Sequence, residues 1–255
     1  VTANNETLQL TSKIIVGADG TVSTVREQAG ITTQVTDYQQ SALVTRTQLQ
    51  RSHHHIAYER FNEHGAIAML PLPNHECATI WTAYQKIIAD LHALSDEDFL
   101  QKLQQTFGYR NGRLLKVSQR HTFPLRMIRA DKMHDQHIIL IGNAAHTLHP
   151  IAAQGFNLAV YEIAVLADYI NHASSPITAT DLANALQKAT AQQSASMQVS
   201  HYLSDAFMEG SALSSLGLHI GMAGLDNCLA LKQKFIARMT GRAGRIPRLL
   251  LNAIP

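Results

Sequence analysis

Long apolar runs are missing from this 255-residue chain, and so is any crowding of cysteine. No stretch approaches the about 18 consecutive apolar residues of a membrane-crossing helix, so none is expected. The two cysteines, Cys77 and Cys228, lie far apart in sequence. They imply no disulfide framework and fit a reducing cytosol. HExxH and paired Cys/His spacings are absent, so no metal site is expected, and the run His53-His54-His55 reads as a solvated loop or strand edge. A signal-peptide pattern is absent too. Charged residues make up 16% of the chain with a net charge of +2, which suits neither a nucleic-acid binder nor a disordered tail. What is present is 45% hydrophobic residues, enough for a sizeable core in one large domain or two smaller ones. The opening VTANNETLQLTSKIIVGADG reads as the middle of a domain, so the sequence is expected to be a fragment.

Along the chain the patterning changes three times. Residues 7–17 end in an apolar run at Gly17, which predicts a buried strand, and 22–29 predict a short helix closed by Gly30. From 41 to 125 four short β-rich segments follow, broken by Asn62-Glu63-His64-Gly65 and Pro73-Asn74-His75-Glu76 as hairpin turns. One helix is expected to interrupt them, capped by Ser95 with Asp98, and a further strand over 113–124 is expected to end at Pro124. A second buried strand, 137–142, precedes a helix over 155–172, and another helix starts near 179, capped by Thr178 with Asp181. The expected organisation is a nucleotide-binding layer (1–40 and 131–175) interrupted by a sheet domain (41–130), followed by a helical region (176–255).

Two strand ends carry the candidate chemistry. In Gly17-Ala18-Asp19-Gly20, glycines flank a carboxylate at the carboxyl end of a strand, where open α/β sheets bind ligands. Gly17 and Gly20 permit close backbone approach, Asp19 can accept from a ribose or from neighbouring backbone, and Arg26 is placed to meet a phosphate. An ordinary Asp-Gly turn is the plainer alternative. The second segment runs from Gly142 through Asn143 and Pro150 to Ala153-Gln154-Gly155-Phe156-Asn157, a strand end leading into a helix. That helix start offers free N–H groups and partial positive charge to an anion, and Asn143 can hydrogen-bond hydroxyls.

These segments resemble the two internal motifs of the class A flavoprotein monooxygenases related to para-hydroxybenzoate hydroxylase. Gly17 to Gly20 with Ser23 and Arg26 matches one motif; Gly142 to Asn157 matches the other. Within the class the chain is most similar to the ubiquinone-biosynthesis hydroxylases, nearest the 2-polyprenyl-6-methoxyphenol hydroxylase branch, which also carries Asn at the position of Asn143. Three departures stand out. Asn143 replaces the usual Asp, Ala153 replaces a usual Gly, and Glu162 and Ala159 replace a common Asp and Gly. The family's N-terminal GxGxxG, which holds the ADP half of FAD, is absent, so an N-terminally truncated chain is expected.

The resemblance implies a mixed α/β fold: a para-hydroxybenzoate-hydroxylase-like FAD domain portion, interrupted by a mainly antiparallel substrate sheet, with C-terminal helices. It implies FAD as cofactor and NAD(P)H and dioxygen as co-substrates. The reaction it implies is hydroxylation of the aromatic ring of a polyprenyl phenol through a flavin hydroperoxide, chemistry that the cofactor supplies. No acid–base or nucleophile triad is expected. Gly17, Asp19, Gly20, Arg26, Gly142, Asn143, Pro150, Ala153, Gln154, Gly155, Phe156 and Asn157 are the expected cofactor contacts. Met69, Leu70 and Pro71 are candidates for facing the substrate ring, or equally for core strand positions.

Charge is unevenly spread. After Asp226 there is no acid and there are six basic residues, leaving 15 basic against 19 acidic in the remainder. Interleaved Leu229, Leu231, Phe235, Ile236 and Met239 make this tail amphipathic, as in segments that lie on anionic membranes; a solvated helix face is the alternative. The expected location is cytoplasmic, peripheral on the inner membrane, with other ubiquinone-biosynthesis proteins as possible partners. A soluble phenol hydroxylase of the same fold and a non-catalytic subunit that binds a quinone lipid or a partner stay open as alternatives.

Overall fold

The computed structural model describes residues 2–3, 6–7, 9–62, 64–148, 154–174, 176–188, 217, 221, 223–239 and 246–251. Unit 1 comprises 1–36, 127–199 and 228–255; unit 2 comprises 37–126 and 200–227.

Unit 1 opens with two short strands, β1 (Thr2–Ala3) and β2 (Glu6–Thr7), paired antiparallel. Strand β3 (Ile15–Gly17) leads through the Asp-Gly turn to helix α1 (Thr24–Gln28), whose N-cap is Ser23. The expected burial of this strand is corrected. Ile15 and Val16 are exposed and only Gly17 is buried, because among the described residues β3 has a strand neighbour on one side only.

In unit 2, β4 (Thr33–Leu49), β5 (Tyr58–Asn62), β6 (Gly65–Leu72) and β7 (Glu76–Tyr84) form an antiparallel array in the order β4-β7-β6-β5. Residues alternate between its faces. Leu43, Ile67, Met69, Cys77 and Trp81 enter one core with Phe99, Leu103 and Phe107. Two helices, not one, interrupt the strands. Besides α3 (Asp96–Phe107), capped by Ser95 as expected, there is α2 (Gln85–Ala93), which buries Ile88 and Leu91. Arg120 ties the corner between them, donating to the Leu91 and Leu94 carbonyls at 3.1 and 2.7 Å and to the Asp96 carboxylate at 3.0 Å. After β8 (Leu114–Val117), strand β9 (His121–Ala130) runs through Pro124 instead of stopping there. At Pro124 the strand has a described neighbour on one side only, a position that tolerates a residue without an N–H.

The chain then returns to unit 1. Strand β10 (His134–Asp135) pairs antiparallel with β11 (Ile138–Leu140), and β11 pairs parallel with β3, Leu140 opposite Gly17. A 3-10 turn (Gly142–Ala144), strand β12 (His146–Thr147) and helix α4 (Gln154–His172) follow. Helical residues 179–188 start at Thr178, whose hydroxyl accepts from the Asp181 N–H while the Asp181 carboxylate accepts from the Thr178 N–H. That reciprocal cap is the one read from the sequence. Leu182 and Leu186 then pack with Ile139, Ile141 and Leu166.

Candidate functional site

Parallel pairing of β3 and β11 brings both glycine turns to one end of the same sheet. The Ile141 N–H donates to the Gly17 carbonyl at 3.0 Å, so the loops leave side by side. Three further bonds hold them. Arg26 donates to the Ala144 carbonyl at 2.8 Å and to the Thr21 carbonyl at 2.9 Å, and the Thr21 and Thr147 hydroxyls lie 3.2 Å apart.

A cleft of about 640 Å³ opens between these loops and the first turns of α4. Ala18, Gly20, Gly142, Asn143, Thr147 and Gly155 give it a small and polar side; Ile141, Leu148, Phe156, Ala159 and Ile163 give it an apolar side. Phe156 is 78% exposed, a large apolar surface left open at the cleft. Gly20 sits at φ +87°, and among the described residues a Cβ there or on Gly155 would meet no atom within 4 Å beyond the adjacent backbone. Both glycines therefore keep the cleft itself clear rather than relieving contact within the protein.

The expected contacts separate into groups. Gly20, Gly142, Asn143, Gly155 and Phe156 line the cleft. Gly17 does not: a Cβ there would stand 2.7 Å from Leu140 Cδ2 and 2.9 Å from Val25 Cγ1, so its smallness serves strand–helix packing. Asp19 accepts from the Ser23 hydroxyl at 2.5 Å and the Val25 N–H at 3.0 Å, which makes it a helix-start carboxylate. Arg26 donates to the Ala144 and Thr21 carbonyls, which ties the two loops together. Asn157 is exposed beside the cleft lining. Pro150, Ala153 and the side chain of Gln154 lie outside the described residues. In unit 2, Met69 is fully buried in the core, which corrects its reading as a ring-facing residue; Leu70 is exposed and Pro71 half-buried on β6.

Glu162, marked in the sequence only as a departure from the family pattern, was not among the expected contacts. It has no exposed surface, its Oε2 accepts from the Gly142 N–H at 2.8 Å, and its Oε1 lies 2.7 Å from His146 Nε2. Gly142 is held at φ +56°, a conformation that favours glycine. One buried carboxylate thus fixes both ends of the turn that presents Asn143. His146 Nδ1 is buried with no partner among the described residues. A sequence signal existed, because Glu162 lies four residues from Leu158 and from Leu166 on the buried stripe of α4.

The two hydrogen bonds to Asp19, that from Ser23 being the stronger influence, hold its carboxyl below its ordinary 3.8. A depressed folded value means that its contribution to stability is present above the ordinary value and is lost as pH falls through the folded one. Denaturant melts across an acid series should therefore show the parent losing stability below pH 3.8 and an Asp19→Asn variant losing less. Parallel curves would show that the carboxylate does not support the turn.

The family profile described as FAD binding domain matches residues 1–200. Ubiquinone hydroxylase UbiL of Rhodospirillum rubrum is 37% identical over 157 residues, covering 62% of this chain and 37% of that protein. The mitochondrial ubiquinone biosynthesis monooxygenase COQ6 of Danio rerio is 30% identical over 206 residues, covering 68% and 42%. The chain thus spans about two fifths of the length of these curated relatives. Among solved structures, OxyS anhydrotetracycline hydroxylase from Streptomyces rimosus matches with a TM-score of 0.60 at 20% identity, over 92% of this chain and 47% of that one. Diels-Alderase PyrE3 matches with a TM-score of 0.63 at 19% identity, over 91% and 50%. The mixed α/β architecture with an antiparallel sheet is the fold that these chains share.

Proposed function

This chain belongs to the FAD-binding-domain family, and from that premise we propose that its cleft receives the flavin and sugar-chain end of FAD in an enzyme that hydroxylates the ring of a polyprenyl phenol during ubiquinone biosynthesis. The observation that carries the reading is the cleft itself, floored by Gly20 and Gly155, whose missing Cβ atoms would meet no other side chain among the described residues. Fold alone would not choose the reaction, since the same architecture serves a hydroxylase and a Diels-Alderase. The choice of a ubiquinone-pathway phenol rests on the sequence relatives.

The residues present fit such a group. Asn143 and the Thr147 hydroxyl supply donors and acceptors suited to a polyhydroxyl chain, and Leu148, Phe156 and Ile163 supply an apolar wall suited to a planar ring. The glycines give backbone approach, and the first turn of α4 brings its N-terminal dipole to the same space. When bound, FAD would take electrons from NAD(P)H and activate dioxygen. The protein's part is to orient the ring and keep water from it, which the apolar wall favours. A polyprenyl phenol is a membrane lipid, so the enzyme would work at the cytoplasmic face of the inner membrane, beside other proteins of the pathway.

The full-length protein tests this directly. It should be purified with flavin absorbance, and a prenylated methoxyphenol should stimulate its NAD(P)H oxidation with formation of the hydroxylated ring. Flavin without stimulation by any prenylated phenol would favour a soluble phenol hydroxylase. Absence of flavin would favour a non-catalytic subunit.

A further inference from the structure

Basic charge and exposed leucine coincide in one helix of unit 1. Helix Leu229–Met239 shows Leu229 69% exposed, Leu231 52% and Ile236 48%, with Lys232 and Lys234 also exposed. At about 100° per residue, Leu229, Leu231, half-buried Phe235 and Ile236 fall within an arc of about 160°, with Lys232 inside it and Lys234 about 60° beyond its edge. Leu249 and Leu251 are exposed in the short helix Arg248–Leu251. That segment is tied to α4: the Arg248 N–H donates to the Asp168 carboxylate at 2.6 Å, and its guanidinium to His172 Nε2 at 2.8 Å. From Asn227 to the end the sequence holds six basic residues and no acid, whereas the rest of the chain has an excess of acids.

We infer that helix Leu229–Met239 is an in-plane docking surface for an anionic lipid bilayer. Charge complementarity selects an anionic partner. The leucines select a bilayer over a nucleic acid, because apolar side chains gain from entering the acyl boundary, whereas phosphate backbones are met by cations and polar groups. A lysine within the apolar arc is compatible with this, since its stem can lie on apolar surface while the ammonium reaches the headgroups. Among the described residues no helix is long and apolar enough to cross a membrane, so the contact is peripheral. The inference does not rest on the flavin reading, since it concerns other residues and requires neither cofactor nor phenol.

Vesicle co-sedimentation of the chain, with no flavin or phenol present, tests it. Binding should be strong on phosphatidylglycerol-containing vesicles, weak on phosphatidylcholine alone, and reduced by salt. The double change Lys232→Gln/Lys234→Gln should weaken it about thirtyfold, at about 1 kcal/mol per lysine near an anionic surface. The double change Leu229→Gln/Leu231→Gln should weaken it tenfold or more (roughly 1.4 kcal/mol per decade), and both variants should melt like the parent. Equal binding to neutral and anionic vesicles, no vesicle binding, or parent-like binding by a correctly folded form of either variant overturns the inference. Retention of an RNA duplex by the parent and the leucine variant, with vesicles ignored, overturns it in favour of nucleic acid.

Discussion

Replacing Glu162 by alanine should cost unit 1 about 2–6 kcal/mol, the range for leaving two buried donors without acceptors, and should abolish tight flavin binding. The carboxylate serves the Gly142 N–H and the His146 ring at once, both away from water. Alanine leaves two donors without acceptors, each costing about 1–3 kcal/mol when buried, and opens a void beneath the turn. The Gly142–Ala144 turn then loses the bond that holds Gly142 in its left-handed conformation, and Asn143 moves with it.

Glutamine at the same position should behave very differently. Its carbonyl can still accept from Gly142, and its amide can donate to His146 Nε2 if the ring proton moves to Nδ1. Among the described residues that nitrogen has no partner, so the tautomer exchange breaks no bond seen there. Glu162→Gln is therefore expected within about 1 kcal/mol of the parent, the scale of a typical net hydrogen bond. Denaturant melts and flavin fluorescence titrations of both variants decide the matter. If Gln were as damaging as Ala, negative charge on Glu162 rather than its acceptor geometry would be what the turn requires.

Much of this site was legible in the sequence because glycines, caps and strand ends act locally. The capping pairs at Ser95/Asp98 and Thr178/Asp181 form as their spacing requires. The two glycine turns meet because each ends a strand of one parallel pair. What escaped depends on partners far along the chain. Gly17 reads as a ligand-facing glycine until Leu140 and Val25 are seen to fill the space beside it. The bond from Arg26 to the Ala144 carbonyl, 118 residues away, has no signal in the local sequence. Pro124 reads as a strand terminator unless the open side of β9 is known. Helix α2 was hidden because it starts directly after β7, with no turn residue between Tyr84 and Gln85 and no side-chain cap at its start.

Two glycines in this region should answer substitution in opposite ways. Gly17→Ala puts a methyl group 2.7 Å from Leu140 and 2.9 Å from Val25 inside the β3–α1 packing. Overpacking of this kind costs about 1–3 kcal/mol, and any loss of flavin affinity should follow the loss of fold. Gly155→Leu does the reverse. Gly155 lies in the first turn of α4 outside the left-handed region, and among the described residues no atom beyond the adjacent backbone lies within 4 Å of its missing Cβ. Leucine there should leave the melting midpoint unchanged or raise it, since glycine within a helix is poorer than other residues by up to about 1 kcal/mol. Its side chain would enter the cleft lined by Asn143, Thr147 and Phe156. Flavin affinity should fall at least about 100-fold, equivalent to about 2.7 kcal/mol, in a protein at least as stable as the parent. A Gly155→Leu variant that keeps its flavin would mean that the cofactor lies elsewhere, while a Gly155→Leu variant that unfolds would mean that the space beside Gly155 is filled in solution.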